Sequence, residues 1–335
     1  MTKIRIAING FGRIGRAAFR IMVDRADCEI VAVNDLTDTK TLAHLLQYDS
    51  VFRKYPKVVT CDEKNLIVDG QKFLVTAIPD PMKLPWHDLN VDIVLECTGR
   101  FENDGAAYAH IDAGAKRVIV SAPTKGGDIE TYVIGVKTPT EKSTRVISNA
   151  SCTTNCISLV MKVMHDTFGV EKSLMTTVHS YTATQKIIDG PDSDLRRARA
   201  AAVNIVPSTT GAAIATTEVI TDLKGKFDGL AMRVPTIDVS ISDVTMITKK
   251  DVTVKEVNNA FIVAAAGPLK DILGVTDEPL VSTDFIGDSR SSIVDLSLTK
   301  VIGGNMVKVI AWYDNEWGYA SRLVDMAVIF GKVPR

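Results

Sequence analysis

The apolar positions of this chain fall into two regimes, which meet near residue 150. In the first, short apolar runs alternate with helical periodicity. Lys3 to Asn9, carrying Ile4, Ile6 and Ile8, reads as a buried strand, and Arg16 to Val23 as the helix after it. Glu29 to Asn34 predicts a second strand and Thr39 to Gln47 a short amphipathic helix. Lys57 to Thr60, Asn65 to Val68 and Lys72 to Ile78 predict short antiparallel strands, with Asp69-Gly70 as a hairpin turn inserted into the parallel pattern. Val91 to Gly99, Arg117 to Val120, Tyr132 to Val136 and Arg145 to Ser148 complete the strands, and Asn103 to Gly114 reads as helical. Strands and helices in this order predict an α/β half.

The second regime opens with a largely buried helix, apolar at 156, 157, 160, 161, 163 and 164, for which Ser151 is the N-cap. Leu174 to Val178, Gly229 to Val234, Val239 to Thr248, Val294 to Thr299 and Val307 to Tyr313 read as strands, and Lys255 to Ala266 as a helix. Pro207-Ser208-Thr209-Thr210-Gly211-Ala212-Ala213 opens another helix, whose amide cluster suits an anion. This half predicts a mostly antiparallel α+β domain. Tyr319 to Phe330, apolar at Leu323, Met326, Ala327 and Phe330, is a final amphipathic helix. Neither an internal repeat nor a long linker interrupts the pattern, so the two domains are expected to dock closely.

Bulk properties narrow the classes. A chain of 335 residues is long enough for two full cores, and 46% hydrophobic with 24% charged residues is ordinary for a globular protein. A net charge of −1 supplies no general attraction to nucleic acid or anionic membrane. No apolar run is long enough to span a bilayer, and Met1-Thr2-Lys3-Ile4-Arg5 enters a strand without the features of a signal peptide. Five cysteines (28, 61, 97, 152, 156) at irregular spacing argue for a reducing compartment, the cytoplasm by default. Cys152 and Cys156, four apart, form neither a CxxC pair nor half of a common zinc site, and no metal is expected.

Two stretches carry chemistry. Gly10-Phe11-Gly12-Arg13-Ile14-Gly15 lies between strand and helix, and Asp35 ends the next strand twenty residues after Gly15. That context predicts a Rossmann-type domain: glycines admit a pyrophosphate to a helix N-terminus, and the acid accepts from ribose hydroxyls. Asp35 would repel a 2′-phosphate, which favours NAD over NADP. The plainer reading is a glycine-rich turn that only packs strand on helix. Ser148-Asn149-Ala150-Ser151-Cys152-Thr153-Thr154-Asn155-Cys156 places a thiol at a helix start, where partial positive charge eases loss of its proton. His179, closing the Leu174 to Val178 run, could take that proton. The plainer reading of Cys152 is a small buried hydrophobe. Arg196, Arg197 and Arg199 sit in a polar stretch that, taken alone, is as readily a solvated face. A reactive Cys, a His base and a dinucleotide site together describe an aldehyde dehydrogenase that works through a thioester.

The whole chain resembles the phosphorylating glyceraldehyde-3-phosphate dehydrogenases. The resemblance rests on INGFGRIGR at Ile8–Arg16, SNASCTTNC at Ser148–Cys156, HSYTATQ at His179–Gln185, DLRRARAA at Asp194–Ala201 and WYDNEWGY at Trp312–Tyr319. It implies a homotetramer that oxidises glyceraldehyde 3-phosphate with NAD⁺ and inorganic phosphate. It also implies that the final helix folds back onto the cofactor domain, giving domains 1–150 plus 316–335 and 151–315. Cys152 matches the nucleophile and His179 the base. Gly10, Gly12, Arg13, Ile14, Gly15, Asp35, Thr98, Ser121 and Asn315 match the cofactor site. Ser151, Thr153, Thr182, Arg197, Thr210, Gly211 and Arg233 match the groups that hold the substrate phosphate and the attacking phosphate. Gly190-Pro191 resembles the loop pair of NAD-preferring members.

The chain departs from the family pattern at Pro79, where Arg usually precedes the Asp-Pro pair, and at Ile214, where Lys is common. His44, His87, His110 and His165 stand near no anion or nucleotide signature and read as structural. Three other readings remain. An erythrose-4-phosphate dehydrogenase usually lacks a pair like Thr210-Gly211. A non-catalytic nucleotide-binding regulator would have lost Cys152 or His179. A Cys-His hydrolase leaves the first half without a purpose.

Overall fold

In a computed structural model, which describes residues 3–334, the chain forms two compact units. Met1, Thr2 and Arg335, and with them the start of the N-terminal segment and the last residue of the C-terminal one, lie outside the described residues.

The first unit comprises Met1–Tyr132, Pro139–Ala150 and Ala320–Arg335. Its nine-stranded sheet runs in the order Glu130–Thr131, Val146–Ser148, Arg117–Val120, Ile93–Glu96, Ile4–Asn9, Cys28–Asn34, Gln71–Thr76, Asn65–Val68 and Val59–Cys61. The first seven strands are parallel and the last two antiparallel. Ile4–Asn9 has its successor on one side and Ile93–Glu96 on the other, so the strand order reverses at its C-terminal end, where α/β sheets bind ligands. Both sheet faces are covered: Ala7, Val94, Val118 and Trp86 fill one core, and Phe11, Phe19 and Phe73 meet edge to face elsewhere. Burial on both faces is why these strands read as continuous apolar runs. The Trp317–Lys332 helix ends against this unit, where Arg117 donates to Val333 O at 2.7 Å and its guanidinium lies 4.7 Å from the Phe330 ring.

Two sequence expectations fail here for local reasons. Asn103 to Gly114 is not one helix. Asp104 and Gly105 are both left-handed (φ 52° and 74°), leaving a 3₁₀ turn, Ala106–Tyr108, and a single helical turn, Ala109–Asp112. Tyr132 to Val136 is not a strand either. The strand is Glu130–Thr131, and the chain then turns through Gly135 at φ 88°, with Lys137 N donating to Val133 O at 2.8 Å. The inserted strands are also less separate than their pattern suggests, because Gln71–Thr76 pairs in parallel with Cys28–Asn34.

The second unit comprises Val133–Thr138 and Ser151–Tyr319. Its sheet runs Val206–Thr209, Phe227–Val234, Val170–Ser180, Ser240–Thr248, Met306–Tyr313, Ser292–Asp295 and Leu273–Thr276, with Lys300–Ile302 added beside Met306–Tyr313. Pairing is antiparallel except between Val170–Ser180 and Phe227–Val234 and between Leu273–Thr276 and Ser292–Asp295. The Cys152–Phe168 helix packs into the core with Met175, Val244, Phe261 and Val309. Leu159, Val160, Met161 and Met164 are fully buried, each stabilising by about 1.5–3 kcal/mol. The helix, and with it the position of Cys152, is therefore fixed by packing.

Candidate active site

In the first unit the backbone makes the site. Gly10 sits at φ 93°, and a Cβ there would meet Thr98 N at 2.7 Å. A Cβ on Gly15 would lie 2.1 Å from Gly10 O, so both glycines are needed for the turn to close. Gly12 differs: a Cβ there would meet no protein atom within 4 Å. It borders a cavity of about 340 Å³ lined also by Asn9, Asp35, Thr98 and an apolar wall of Leu36, Ile78, Pro79 and Leu84. Gly12 is the N-cap of Arg13–Met22, with no side-chain cap and no acid in the first turn, so that helix end is open to an anion. The room at Gly12, the uncapped helix end and the acid in one cavity fit a dinucleotide.

Asp35 is already anchored. Its carboxylate accepts from Phe11 N at 2.8 Å and from Thr37 N at 2.9 Å, which ties the acid to the glycine loop. The Arg13 guanidinium pairs with Asp49 and lies 5.6 Å from the Phe52 ring, and Arg13 is not among the residues that line the cavity. Thr98 is set by Glu96, which accepts from its N at 2.7 Å and from its hydroxyl. Ser121 N donates to Glu96 O at 2.9 Å, which places Ser121 at the end of the neighbouring strand. The buried Glu96 carboxylate also accepts from Asn9 Nδ2 at 2.6 Å and from His110 Nε2 at 2.9 Å, while Trp86 Nε1 donates to His110 Nδ1 at 3.0 Å. His110 thus belongs to the network under Thr98, which local sequence could not reveal. Pro79 presents an apolar face where the family pattern carries a cation.

In the second unit the site is made of side chains. Ser151 caps the helix, its Oγ accepting from Thr154 N at 3.0 Å. Cys152 Sγ lies 3.5 Å from His179 Nε2 and 4.0 Å from Thr153 Oγ1. Parallel register sets His179 directly opposite Arg233. The Arg233 Nη1 lies 2.6 Å from His179 Nδ1 and donates to Ser180 O at 3.1 Å. Tyr313 was not anticipated: its hydroxyl bonds Thr153 Oγ1 at 2.9 Å and Thr177 Oγ1 at 2.8 Å. Only its place in the Trp312–Tyr319 motif hinted at it.

The electrostatics run against the sequence expectation for the thiol. Burial pushes the Cys152 thiol above its ordinary value, and the Arg233 charge and the bond from Thr153 offset this only in part. Burial, then Arg233, drive His179 down to about 3. Desolvation is the largest cause of both shifts. Cys156 is pushed up to about 12 by burial, which marks it as inert.

Burial lowers Arg233, and Arg197 lowers it further, so the two guanidiniums share a positive field. Arg197 Nη2 also donates to Thr209 O at 3.2 Å, beside Thr210 and Gly211. Gly211 starts the Ala212–Val219 helix, again with no acid in its first turn. Thr182 is held by Gln185 Oε1, at 2.8 Å from its N and 3.0 Å from its Oγ1. Asn315 Oδ1 accepts from Ser180 Oγ at 2.9 Å and Ser240 Oγ at 2.7 Å, which leaves its amide nitrogen as the donor on offer. Behind Asn315, burial raises Asp238 to about 9, with Asp314 beside it adding to the shift. Ile214 lines a separate apolar groove with Leu174, Phe227 and Met306.

Among the described residues no group of three or more His, Cys, Asp or Glu could hold a metal ion, and no helix is long and apolar enough to cross a membrane. Residues 4–104 match the family model of the glyceraldehyde 3-phosphate dehydrogenase NAD binding domain, and residues 151–315 match that of the C-terminal domain. The chain is 53% identical over 326 residues to a glyceraldehyde-3-phosphate dehydrogenase of Geobacillus stearothermophilus, covering 97% of each. It is 56% identical over 324 residues to one of Thermotoga maritima, covering 96% of this chain and 97% of the relative. Against glyceraldehyde-3-phosphate dehydrogenase 2 of Synechocystis sp. the figures are 51% over 332 residues and 98% of each.

Proposed function

The chain belongs to the glyceraldehyde-3-phosphate dehydrogenase family, and from that premise we propose how its own residues carry the family's reaction. It oxidises glyceraldehyde 3-phosphate, with NAD⁺ and inorganic phosphate, to 1,3-bisphosphoglycerate. The contact between Cys152 Sγ and His179 Nε2, 3.5 Å apart at a packed helix start, carries the assignment of roles.

Cys152 gives its thiol proton to His179 Nε2 and adds as thiolate to the aldehyde carbon, forming a hemithioacetal. The imidazolium N–H stabilises the oxygen that becomes negative, and His179 takes the hydroxyl proton back as C–H electrons leave. NAD⁺ supplies the hydride acceptor. Gly10, Gly12, Gly15 and the main chain of Arg13 and Ile14 would hold its pyrophosphate, and Asp35 its adenosine ribose. Thr98, Ser121 and the Asn315 amide would hold the rest. The thioester on Cys152 is then attacked by a phosphate oxygen, the C–S bond breaks, and thiolate leaves with the acyl phosphate as product.

Two dianions need separate donors. Thr182 and Arg233 take the phosphate on the substrate. Ser151, Thr153, Thr210, Gly211 and Arg197 take the one that attacks. Ile187, Ile188, Leu195 and Val203 are 76% to 86% exposed along the arginine-bearing loop, which supports burial of that loop in a homotetramer. The cytoplasm is the proposed location. Phosphorus NMR of a reaction mixture tests the chemistry: an acyl phosphate should form together with NADH, and 3-phosphoglycerate formed with no acyl phosphate precursor would overturn it.

A further inference from the structure

The carboxylate of Glu96 is buried, and four hydrogens converge on its two oxygens. Oε1 accepts from Thr98 N at 2.7 Å and from the Thr98 hydroxyl, and Oε2 from Asn9 Nδ2 at 2.6 Å and His110 Nε2 at 2.9 Å. Neither side chain on Oε2 can turn round. Asn9 Oδ1 accepts from Asn34 Nδ2 at 2.7 Å. Asn34 is in turn fixed by Ile78, its Nδ2 donating to Ile78 O at 3.0 Å and its Oδ1 accepting from Ile78 N at 2.9 Å. An indole N–H only donates, so Trp86 Nε1, 3.0 Å from His110 Nδ1, requires a lone pair there. The ring hydrogen is left on Nε2, facing Glu96. From Ile78 at one end and Trp86 at the other, the hydrogens run inward to a carboxylate.

We propose that Glu96 is a positioning residue for the dinucleotide site, locked in place by Trp86 through His110: its carboxylate holds Thr98 and Asn9 where the glycine turn can close on the cofactor. Thr98 and Asn9 line the cavity, whereas Glu96, His110 and Trp86 are not among its lining residues. Thr98 N is also the atom that a Cβ on Gly10 would meet at 2.7 Å, so the turn rests against the residue that Glu96 holds back. On its other side Gly10 N donates to Asn34 O at 2.8 Å. An amide at position 96 would carry one oxygen and one NH₂. Whichever way it turned, its hydrogens would meet that of Thr98 N or those of Asn9 and His110. His110 could not answer by moving its hydrogen to Nδ1, because the Trp86 N–H fills that side. The turn would be loosened where its backbone has to approach a pyrophosphate closely.

This rests on the reading of that cavity as the NAD⁺ site, and it gives His110 and Trp86, both fully buried, a part in binding. The first test is calorimetric titration of the full chain with NAD⁺ and with ADP-ribose. In Glu96→Gln both dissociation constants should rise roughly ten- to a hundredfold with the number of sites per chain unchanged. The KM for NAD⁺ should rise by a larger factor than kcat falls. Partial unfolding would lower the number of sites instead, and the second test then decides, because it needs no variant at position 96. Coupling is reciprocal, so a ligand in the cavity is felt at Trp86. In the unmutated chain with ¹⁵N-labelled tryptophan, the Trp86 indole signal should shift on saturation with ADP-ribose. It is identified as the one that remains in both Trp312→Phe and Trp317→Phe. Sites in Glu96→Gln that bind NAD⁺ within about twofold of the unmutated chain, or a Trp86 signal that ADP-ribose leaves in place, overturn the positioning role and leave the enzyme assignment standing. An unmutated chain that binds neither NAD⁺ nor ADP-ribose overturns the reading of the cavity, and this proposal with it.

Discussion

The glycine loop and the Cys152 pocket are both strand-to-helix turns, yet they are built from opposite materials. At the first, Ile4–Asn9 passes through Gly10 at φ 93° into Arg13–Met22, and what the site offers is main-chain N–H and empty space. At the second, Val146–Ser148 passes into Cys152–Phe168 through Ala150, left-handed at φ 54° although it has a Cβ. Non-glycine residues pay roughly 1–2 kcal/mol for that conformation. Here it is held by packing and by Ser148 Oγ, which accepts from Ala150 N at 3.0 Å. The first turn depends on what is absent from its side chains, and the second on which side chains converge. Substitutions should therefore separate folding from function differently at the two places.

The largest separation is at the nucleophile. Cys152→Ser should lower turnover on the order of 10⁴-fold or more while the NAD⁺ dissociation constant stays within about twofold. Steady-state rates and a fluorescence titration check the two halves, and loss of NAD⁺ binding would undo the distinction. Gly15→Ala reverses the pattern. Its Cβ would lie 2.1 Å from a backbone oxygen, so the urea midpoint should fall by an amount equivalent to about 3 kcal/mol. Arg233→Ala should depress turnover of glyceraldehyde 3-phosphate by roughly ten- to a hundredfold, about 1.5–3 kcal/mol, and that of unphosphorylated glyceraldehyde far less.

Gly12→Ala sharpens the comparison within one loop. A Cβ there meets no protein atom, so unfolding should shift by less than about 0.5 kcal/mol, while NAD⁺ binding weakens about tenfold. Equal destabilisation by Gly12→Ala and Gly15→Ala would show that both glycines serve folding alone.

A last effect, read against pH and not by substitution alone, concerns Asp238. Its folded value is raised to about 9, so the folded chain holds a proton that the unfolded chain releases. The stabilisation is complete below the ordinary carboxylate range and is lost as pH rises through about 9. Unfolding free energies from urea titrations between pH 6 and 9 should fall by at most about 1.4 kcal/mol per pH unit from this group, and Asp238→Asn should flatten that slope. An unchanged slope would mean that Asp238 is ionised in the fold.

What could be read from the chain follows the same division. Gly10, Gly12, Gly15 and Asp35 are legible because turn, helix start and strand end are local features. Cys152 is legible for the same reason. His179 opposite Arg233 is not, since it depends on the parallel register of Val170–Ser180 with Phe227–Val234. Tyr313 and the Glu96–His110 pair are long-range in the same way. The break in the Asn103 to Gly114 helix is not legible, because it depends on Asp104 adopting the left-handed conformation beside Gly105. The upward direction of the Cys152 shift is not legible in the chain, because helix position is a local feature and desolvation is not.

The central claim is that Cys152 carries a thioester whose release requires phosphate. Rapid mixing of the chain with NAD⁺ and glyceraldehyde 3-phosphate, without inorganic phosphate, tests it directly. The account predicts a burst of NADH stoichiometric with Cys152, then near arrest until phosphate or arsenate is added. Linear NADH formation without either anion would show that water releases the acyl group, and would contradict it.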